Sequence, residues 1–144
     1  MQIRRMTMED CVQVAAIEAV SFSMPWSLAA FTDTVEKDNY RYIVAEEEGE
    51  ILGYCGFIYV LDEAEIPNVC VKETARQQGV GTKIMQRLLE EAKQLGITVL
   101  YLEVRKSNTA ARRLYESLGF TMNGIRKNFY ERPTEDAVLM SKTL

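Results

Sequence analysis

Hydrophobic positions recur with two different periods along this chain. Apolar residues at every second position, as in 98–104, and short apolar runs, as in 41–46, predict strands, whereas apolar residues three and four apart predict helices. The strands expected from this pattern are 2–6, 41–46, 51–60, 64–71, 98–104, 120–130 and 136–143. The expected helices are one that starts after Thr7, one over 27–37, one from about 79 to Gly96, and one over 108–118.

The helix starts carry the usual capping residues. Ser27 and Ser107 precede the second and fourth helices, and a serine hydroxyl there accepts a hydrogen bond from a free N–H of the first turn. Each helix should bury the apolar stripe that its spacing defines. For the first two helices these stripes are Val12, Ala15, Ala16, Ala19 and Val20, and Leu28, Phe31 and Val35.

The order of the elements predicts the fold class. Reading β-α-α-β-β-β-α-β-α-β-β, the chain begins with an antiparallel meander and continues with βαβ units. This order predicts an α/β protein (an α+β mixed sheet, mostly antiparallel) of about seven strands flanked by about four helices. With 144 residues, no linker and no repeat, we expect residues 1–144 to form a single domain.

The amino-acid composition argues against several classes of function. The net charge is −4 and the pI about 5.0, which argues against a nucleic-acid-binding face. An acidic surface suits a cationic substrate, although ordinary solubility explains it equally well. The chain has three cysteines and no histidine, so we expect no metal site and no Ser-His or Cys-His catalysis. The cysteines are expected to be buried thiols in a reducing compartment, and without an apolar run of about 20 residues we expect a cytoplasmic protein with no membrane contact.

A glycine-containing loop, RQQGVG from Arg76 to Gly81, separates a predicted strand from the long third helix. Glycines at a helix mouth let an anion approach the free N–H groups of the first turn, where the helix dipole also favours negative charge. The spacing fits neither a Rossmann motif nor a P-loop. It predicts a pyrophosphate site, with tight packing of the helix entry as the alternative.

Three polar residues near the fifth strand are candidates for chemistry. Glu103 lies near the end of a buried strand, where partial burial would raise its pKa towards that of a general base; the alternative is an ion pair with Arg105 or another cation. Tyr115 could donate its hydroxyl proton to a leaving group or simply pack in the core. Asn108 could bind a cofactor amide or cap its helix beside Ser107.

Taken together, these motifs resemble those of the GCN5-related N-acetyltransferase (GNAT) superfamily. Within it, the stretch LEVRKSNTAARRLYESLGF from Leu102 to Phe120 is similar to the ribosomal-protein-alanine N-acetyltransferases. The segment NFYERPTEDAVLM and the early FSMPWSLAAF resemble the same subfamily, so the likeness covers essentially the whole chain. The family usually has a proline where this chain reads Lys72-Glu73-Thr74-Ala75, a loop that varies.

The resemblance implies a binding site for acetyl-CoA. The loop would hold its pyrophosphate, and the strand before the loop would pair with the pantetheine arm through main-chain hydrogen bonds. The N–H of Val69 or Cys70 would polarise the thioester carbonyl. The residues implied in cofactor binding are Val69, Cys70, Val71, Arg76, Gln77, Gln78, Gly79, Val80, Gly81, Thr82 and Asn108.

The resemblance also implies the catalytic roles and the acceptor. Glu103 matches the general base and Tyr115 the general acid, and no metal is required. The acceptor implied is the N-terminal alanine of ribosomal protein S18, with Trp26, Tyr130 and Glu135 in the segments that form the peptide-binding walls. A monomer is expected. Glu36, Asp38 and Asp62 could meet a basic peptide, or be ordinary surface charges.

Two alternative functions stay open at this point. The chain could acetylate other protein N-termini, lysines or a small amine. It could also be a non-catalytic acyl-CoA-binding module, although intact Glu103 and Tyr115 disfavour that interpretation.

Overall fold

The computed structural model describes all residues 1–144 and contains one seven-stranded sheet with four α-helices. Its strands are β1 (Gln2–Arg5), β2 (Tyr40–Glu47), β3 (Glu50–Val60), β4 (Glu63–Val71), β5 (Val99–Arg105), β6 (Thr121–Tyr130) and β7 (Glu135–Thr143). Its helices are α1 (Cys11–Ser21), α2 (Leu28–Val35), α3 (Val80–Gln94) and α4 (Thr109–Ser117). Short 3₁₀ turns occupy Met8–Asp10 and Glu73–Ala75.

The sheet has the order β1-β2-β3-β4-β5-β7-β6, and only the pair β4–β5 is parallel. The predicted mixed, mostly antiparallel sheet is therefore confirmed, as is the order of its elements. The parallel pair follows from α3, which carries the chain from the end of β4 back to the start of β5.

The helices cover opposite faces of the sheet. Along β2, Ile43 and Ala45 join the cluster that packs under α3 and α4, whereas Tyr42 and Val44 join the cluster under α1 and α2. Both faces of β2 are thus buried, which is why residues 42–45 are all apolar. The cysteines lie in these two cores, and all three are buried and free, as expected.

The predicted inner face of α1 is wrong by one position. Val12 is 65% exposed and Val20 is 87% exposed, while the buried residues of α1 are Cys11, Val14, Ile17 and Glu18. Both sets have helical spacing, and the buried set was not recognised from the sequence because it contains the carboxylate of Glu18. In α2, Phe31 is buried as predicted, whereas Leu28 at the helix start is exposed.

A bulge interrupts the pairing of β3 with β4. Phe57 of β3 stands opposite both Ile66 and Pro67 of β4, since Gly56 pairs with Asn68 and Ile58 with Glu65. Gly56 is needed here for another reason: a Cβ would lie 2.3 Å from the ring of Tyr42. The bulge changes which face each β4 side chain occupies, so that Asn68 and Cys70 point to the α1–α2 side.

Candidate active site

The parallel strands β4 and β5 separate halfway along their length. Their pairing ends at Ile66 and Leu102, although β4 continues to Val71 and β5 to Arg105. Both strands remain paired on their outer sides, β4 with β3 and β5 with β7. A gap therefore opens inside the sheet, at the carboxyl ends of the two strands, where open α/β sheets bind ligands.

Main-chain groups of β4 line one side of this gap. Lys72 N donates to Leu52 O. In an antiparallel pair every second residue is hydrogen-bonded to the partner strand, so Cys70 and Asn68 are the β4 residues that bond to β3. Val69 and Val71 consequently direct their main-chain groups towards the gap. Of the two N–H groups that the sequence analysis considered for the thioester carbonyl, that of Val69 faces the gap and that of Cys70 faces β3.

The loop before α3 presents a row of free donors. The N–H groups of residues 77–82 donate no hydrogen bond within the chain, since the first bond of α3 runs from Lys83 N to Gly79 O. Gln77 has φ of 64° and Gly79 has φ of 77°, so the loop turns sharply and gathers these groups at the helix N-terminus. Such a concave array binds anions, as the glycine motif predicts.

Two neighbours fix this loop in place. Arg76 donates from Nε to Val71 O at 3.2 Å, which ties the start of the loop to the end of β4. Gly81 lies against α4, where a Cβ would come 3.1 Å from Leu114 Cδ2 and 3.6 Å from Val71 Cγ2. Free donors that suit an anion and tight packing, posed as alternatives by the sequence, thus occur together at one helix entry.

Glu103 lies on β5 just beyond the last residue that pairs with β4. Its side chain is 26% exposed, and its one cationic neighbour is Arg126 of β6, with Nη1 3.5 Å from Oε1. Burial raises the pKa of Glu103 above its usual value; the charge of Arg126 opposes this rise and that of Glu65 adds to it. The alternative of an ion pair is therefore present in the structure, with Arg126 and not with Arg105, because Arg105 is engaged elsewhere.

Tyr115 of α4 is buried against Phe120, with ring centroids 6.0 Å apart. Its hydroxyl forms no hydrogen bond within the chain. Burial raises the pKa of this phenol, and the neighbouring Cys55, Tyr130 and Cys70 raise it further. Tyr115 therefore belongs to the core and also carries a neutral hydroxyl with its proton uncommitted.

Asn108, and not Ser107, caps α4. Asn108 Oδ1 accepts a hydrogen bond from Ala111 N at 3.1 Å, while Ser107 N donates to Glu135 Oε2 at 2.6 Å. An asparagine can accept at the cap and still donate from its amide nitrogen. The capping alternative is thus what the structure contains, and the Asn108 Nδ2 group stays free for a ligand.

The residues proposed for the acceptor side have different neighbours. Trp26 packs on Phe31 and Tyr42, with ring centroids 5.4 Å and 6.2 Å away, so it anchors the segment between α1 and α2. Burial, followed by the charge of Glu103, raises the pKa of Tyr130 to about 12. This phenol is therefore a neighbour of the Glu103 carboxylate.

Glu135 is occupied by its own chain. One oxygen accepts from Ser107 N and the other from Arg105 Nη1 at 3.3 Å, and these hydrogen bonds, that from Ser107 first, lower the pKa of Glu135. A carboxylate so engaged stabilises the turn between β6 and β7. A direct contact of Glu135 with substrate stays a prediction.

Arg105 was not recognised from the sequence as a link between elements. Its guanidinium reaches Ser23 Oγ at 3.0 Å, Glu131 O at 2.8 Å and Pro133 O at 2.9 Å, and it stacks over Tyr130 at 4.6 Å. It thereby joins the segment after α1 to the β6–β7 turn, next to Glu103. The alternation of β5, which places residues 103 and 105 on one face, was the available signal.

Two absences complete the description. None of the four helices is long and apolar enough to cross a membrane. No group of three or more metal-binding side chains comes together in the chain.

Comparison with known proteins agrees with this architecture. Residues 8–120 match the model of the acetyltransferase (GNAT) family. A protein of Bacillus subtilis is 38% identical over 143 residues, covering 99% of this chain and 95% of its own length. The ribosomal protein bS18-alanine N-acetyltransferase of Escherichia coli K12 is 36% identical over 129 residues, covering 87% of this chain and 85% of its own.

Solved structures show the same fold. The crystal structure of the ribosomal-protein-S18-alanine N-acetyltransferase from Escherichia coli superposes with a TM-score of 0.90 at 33% identity, covering 99% of this chain and 92% of that one. The open β4–β5 pair, the glycine-containing loop before α3 and the matched sequence lead to one conclusion: the chain belongs to the GNAT family of acetyltransferases.

Proposed function

We propose that this enzyme transfers the acetyl group of acetyl-CoA to the α-amine of the N-terminal alanine of ribosomal protein S18. The observation that carries the proposal is the position of Glu103 on one side of the β4–β5 gap, opposite the free main chain of β4. The named activity of the Escherichia coli relative supports the choice of acceptor.

The chain offers free donors where acetyl-CoA would bind. The pantetheine amides would pair with the free main-chain groups of Val69 and the N–H of Val71, as an added strand does, with Cys70 between them. Asn108 Nδ2 would donate to the same arm. The loop residues Arg76, Gln77, Gln78, Gly79, Val80, Gly81 and Thr82 would hold the pyrophosphate through the free N–H groups of 77–82.

Glu103 would prepare the acceptor amine for attack. A peptide α-ammonium has a pKa of roughly 8, so deprotonating it at neutral pH costs only about 1.4 kcal/mol. Because burial raises the pKa of Glu103, its carboxylate is a better proton acceptor than an exposed glutamate. Glu103 takes this proton directly or through a water, and the freed lone pair attacks the thioester carbonyl.

Val69 and Tyr115 would act on the other atoms of the reaction. The N–H of Val69 donates to the carbonyl oxygen as negative charge develops on it. As the C–S bond breaks, the electron pair stays on sulfur and Tyr115 supplies the proton that converts the thiolate into a thiol. The transfer is direct, so neither Cys70 nor any other side chain is acetylated, and both substrates bind before either product leaves.

The acceptor peptide would enter between the segment after α1 and the β6–β7 turn. Trp26 and Tyr130 belong to these two segments, which Arg105 holds together beside Glu103. The acceptor amine would then reach Glu103 from the side of these two segments. The acetyl group approaches from the opposite side, along β4.

The deciding experiment compares peptides that differ in one amine. The first carries the S18 N-terminal sequence, the second is identical but already N-acetylated, and the third has a shuffled sequence. CoA release and mass spectrometry should show acetylation at the alanine α-amine of the first peptide alone. Acetylation of the blocked peptide would identify a lysine acetyltransferase, and equal rates with the shuffled peptide would remove S18 as the preferred acceptor.

Binding without turnover is the remaining alternative outcome. Acetyl-CoA should raise the melting temperature, because it binds the native state. If it does so while no peptide or small amine releases CoA, the chain is an acyl-CoA-binding module and the proposed reaction is refuted.

A further inference from the structure

Glu18 of α1 is a buried carboxylate that takes part in no ion pair. It is 2% exposed and lies on the helix face that packs against the sheet. Burying a carboxylate is costly unless hydrogen bonds replace its water shell. A group of this kind calls for a role beyond filling the core, since an apolar residue of the same size would pack there without that cost.

Donors from three separate elements converge on this carboxylate. Tyr54 Oη of β3 donates at 2.7 Å and Trp26 N, between α1 and α2, at 2.9 Å. Asn68 Nδ2 of β4 lies 3.2 Å and 3.3 Å from its two oxygens. A carboxylate only accepts, so it satisfies all three, whereas the amide of a glutamine would turn one N–H group towards a donor.

Asn68 is itself held in one orientation. Tyr42 Oη donates to Asn68 Oδ1 at 2.7 Å, which leaves the amide nitrogen facing Glu18. Asn68 immediately precedes Val69, whose N–H faces the β4–β5 gap. The carboxylate is therefore joined to β4 next to the donor that the proposed reaction uses.

The hydrogen bond from Trp26 N connects Glu18 to the side of the site where the acceptor would bind. Trp26 belongs to the segment between α1 and α2, the same segment that Arg105 contacts through Ser23. Its main-chain bond to Glu18 sets how far this segment stands from β4. The Glu18 carboxylate is thus hydrogen-bonded both to the Trp26 segment on the acceptor side and to β4 on the donor side.

We propose that Glu18 is a positioning residue that aligns the segment between α1 and α2, on the acceptor side, with the thioester held along β4. The inference rests on the proposed function for its acceptor, and it adds a residue that touches neither substrate. Displacing one reactant by about 1 Å costs as much as 100-fold in rate, so loss of the link should appear in catalysis as well as in stability.

The test uses Glu18→Gln in the full chain, with Tyr54→Phe as the matched control. Both variants remove a hydrogen bond of the same carboxylate, but Tyr54→Phe keeps the charge and the bonds to Trp26 and Asn68. Trp26 is the single tryptophan, so its fluorescence reports directly on the segment between α1 and α2.

We expect Glu18→Gln to lower kcat/KM for the S18 peptide by about tenfold or more, the factor that losing a hydrogen bond to a charged group corresponds to. The KM for acetyl-CoA should change by less than about twofold, because the loop and α4 are untouched. Trp26 emission should move to longer wavelength. Tyr54→Phe should lower the melting temperature while its peptide kinetics and emission stay near those of the unmodified protein.

Wild-type peptide kinetics in Glu18→Gln would overturn the inference, as would an equal loss in both variants. If Glu18→Gln does not fold, Glu18→Asp keeps the charge but withdraws it from Trp26 N, and unchanged kinetics and emission in that variant would overturn the proposal. If the unmodified enzyme prefers another amine, the S18 assignment fails by itself; the variants are then compared with that amine, and the emission measurement is unaffected.

Discussion

Arg126 of β6 holds its guanidinium 3.5 Å from the carboxylate of Glu103 on β5, although β7 lies between these strands in the sheet. The contact opposes the rise that burial causes in the pKa of Glu103. The proton affinity of the proposed base is consequently set by two competing effects that can be separated experimentally.

Arg126→Gln should shift the acid limb of the kcat/KM profile to higher pH. Without the cation, burial and the charge of Glu65 both raise the pKa of Glu103 and nothing opposes them. The base therefore ionises only at a higher pH. Lys127→Gln, one residue along the same exposed strand, is the matched control for the change in charge. An acid limb that moves equally in both variants, or in neither, would contradict the role of Arg126.

Glu103→Gln should lower kcat by about 100-fold or more near neutral pH, the usual contribution of a general base. The deficit should shrink as pH rises towards the pKa of the amine, because the amine then loses its proton without help. Rate measurements from pH 6 to pH 9 check this, and a pH-independent deficit would remove Glu103 as the base.

The same variant has an expected effect on stability. A carboxyl group whose pKa is raised by folding stabilises the folded state only where it is protonated, and this contribution is lost as pH rises through the folded pKa. At neutral pH the ionised Glu103 therefore disfavours folding. Glu103→Gln should melt at the same temperature as the unmodified protein or higher, and a clearly lower value would show that the carboxylate is structural.

Tyr115→Phe should reduce kcat by about 100-fold or more while the KM for acetyl-CoA stays within about twofold. The melting temperature should hardly change, because the lost hydroxyl makes no hydrogen bond within the chain. Tyr40→Phe, which also removes a hydroxyl without a partner in the chain, serves as control. Full activity in Tyr115→Phe would show that another group, or water, protonates the thiolate.

Arg105→Lys should raise the KM for the acceptor peptide by about tenfold with little change in that for acetyl-CoA. A lysine keeps the charge but lacks the planar fork that reaches Ser23, Glu131 and Pro133 together. Steady-state kinetics with each substrate varied in turn measure this. Arg112→Lys on α4, whose guanidinium meets Lys106 O alone, is the control. An effect on acetyl-CoA instead would place Arg105 on the donor side.

Sequence patterns predicted the order of the strands and helices because short apolar runs and helical spacing alternate clearly along the chain. The failures occurred where a polar group is buried. Glu18 made the inner face of α1 look like an outer one, and Asn68 followed a bulge that the strand pattern of 64–71 did not reveal. Such residues are recognised only when their hydrogen-bond partners, which lie far apart in sequence, are seen together.

Within the site, the sequence indicated candidate residues but not their neighbours. The roles of Glu103 and Tyr115 stay predictions, and the ionic partner of Glu103 is Arg126 and not the adjacent Arg105. Glu135 is engaged by Ser107 and Arg105, and Asn108 by the first turn of its own helix. Local spacing indicates which side chains share a strand face, but the order of β5, β7 and β6 decides which charges meet.

The separation of β4 from β5 also determines what could complete the sheet. Val69 lies in the interior of a sheet and still has the free hydrogen-bonding groups of an edge strand, whereas Val71 has a free N–H alone, because Arg76 holds its carbonyl oxygen. If the donor substrate pairs with these groups, as proposed, its binding and the local order of β4 are a single equilibrium. Amide hydrogen exchange at these two residues should then slow when the donor substrate is bound, and the substrate itself would close the interruption in the sheet.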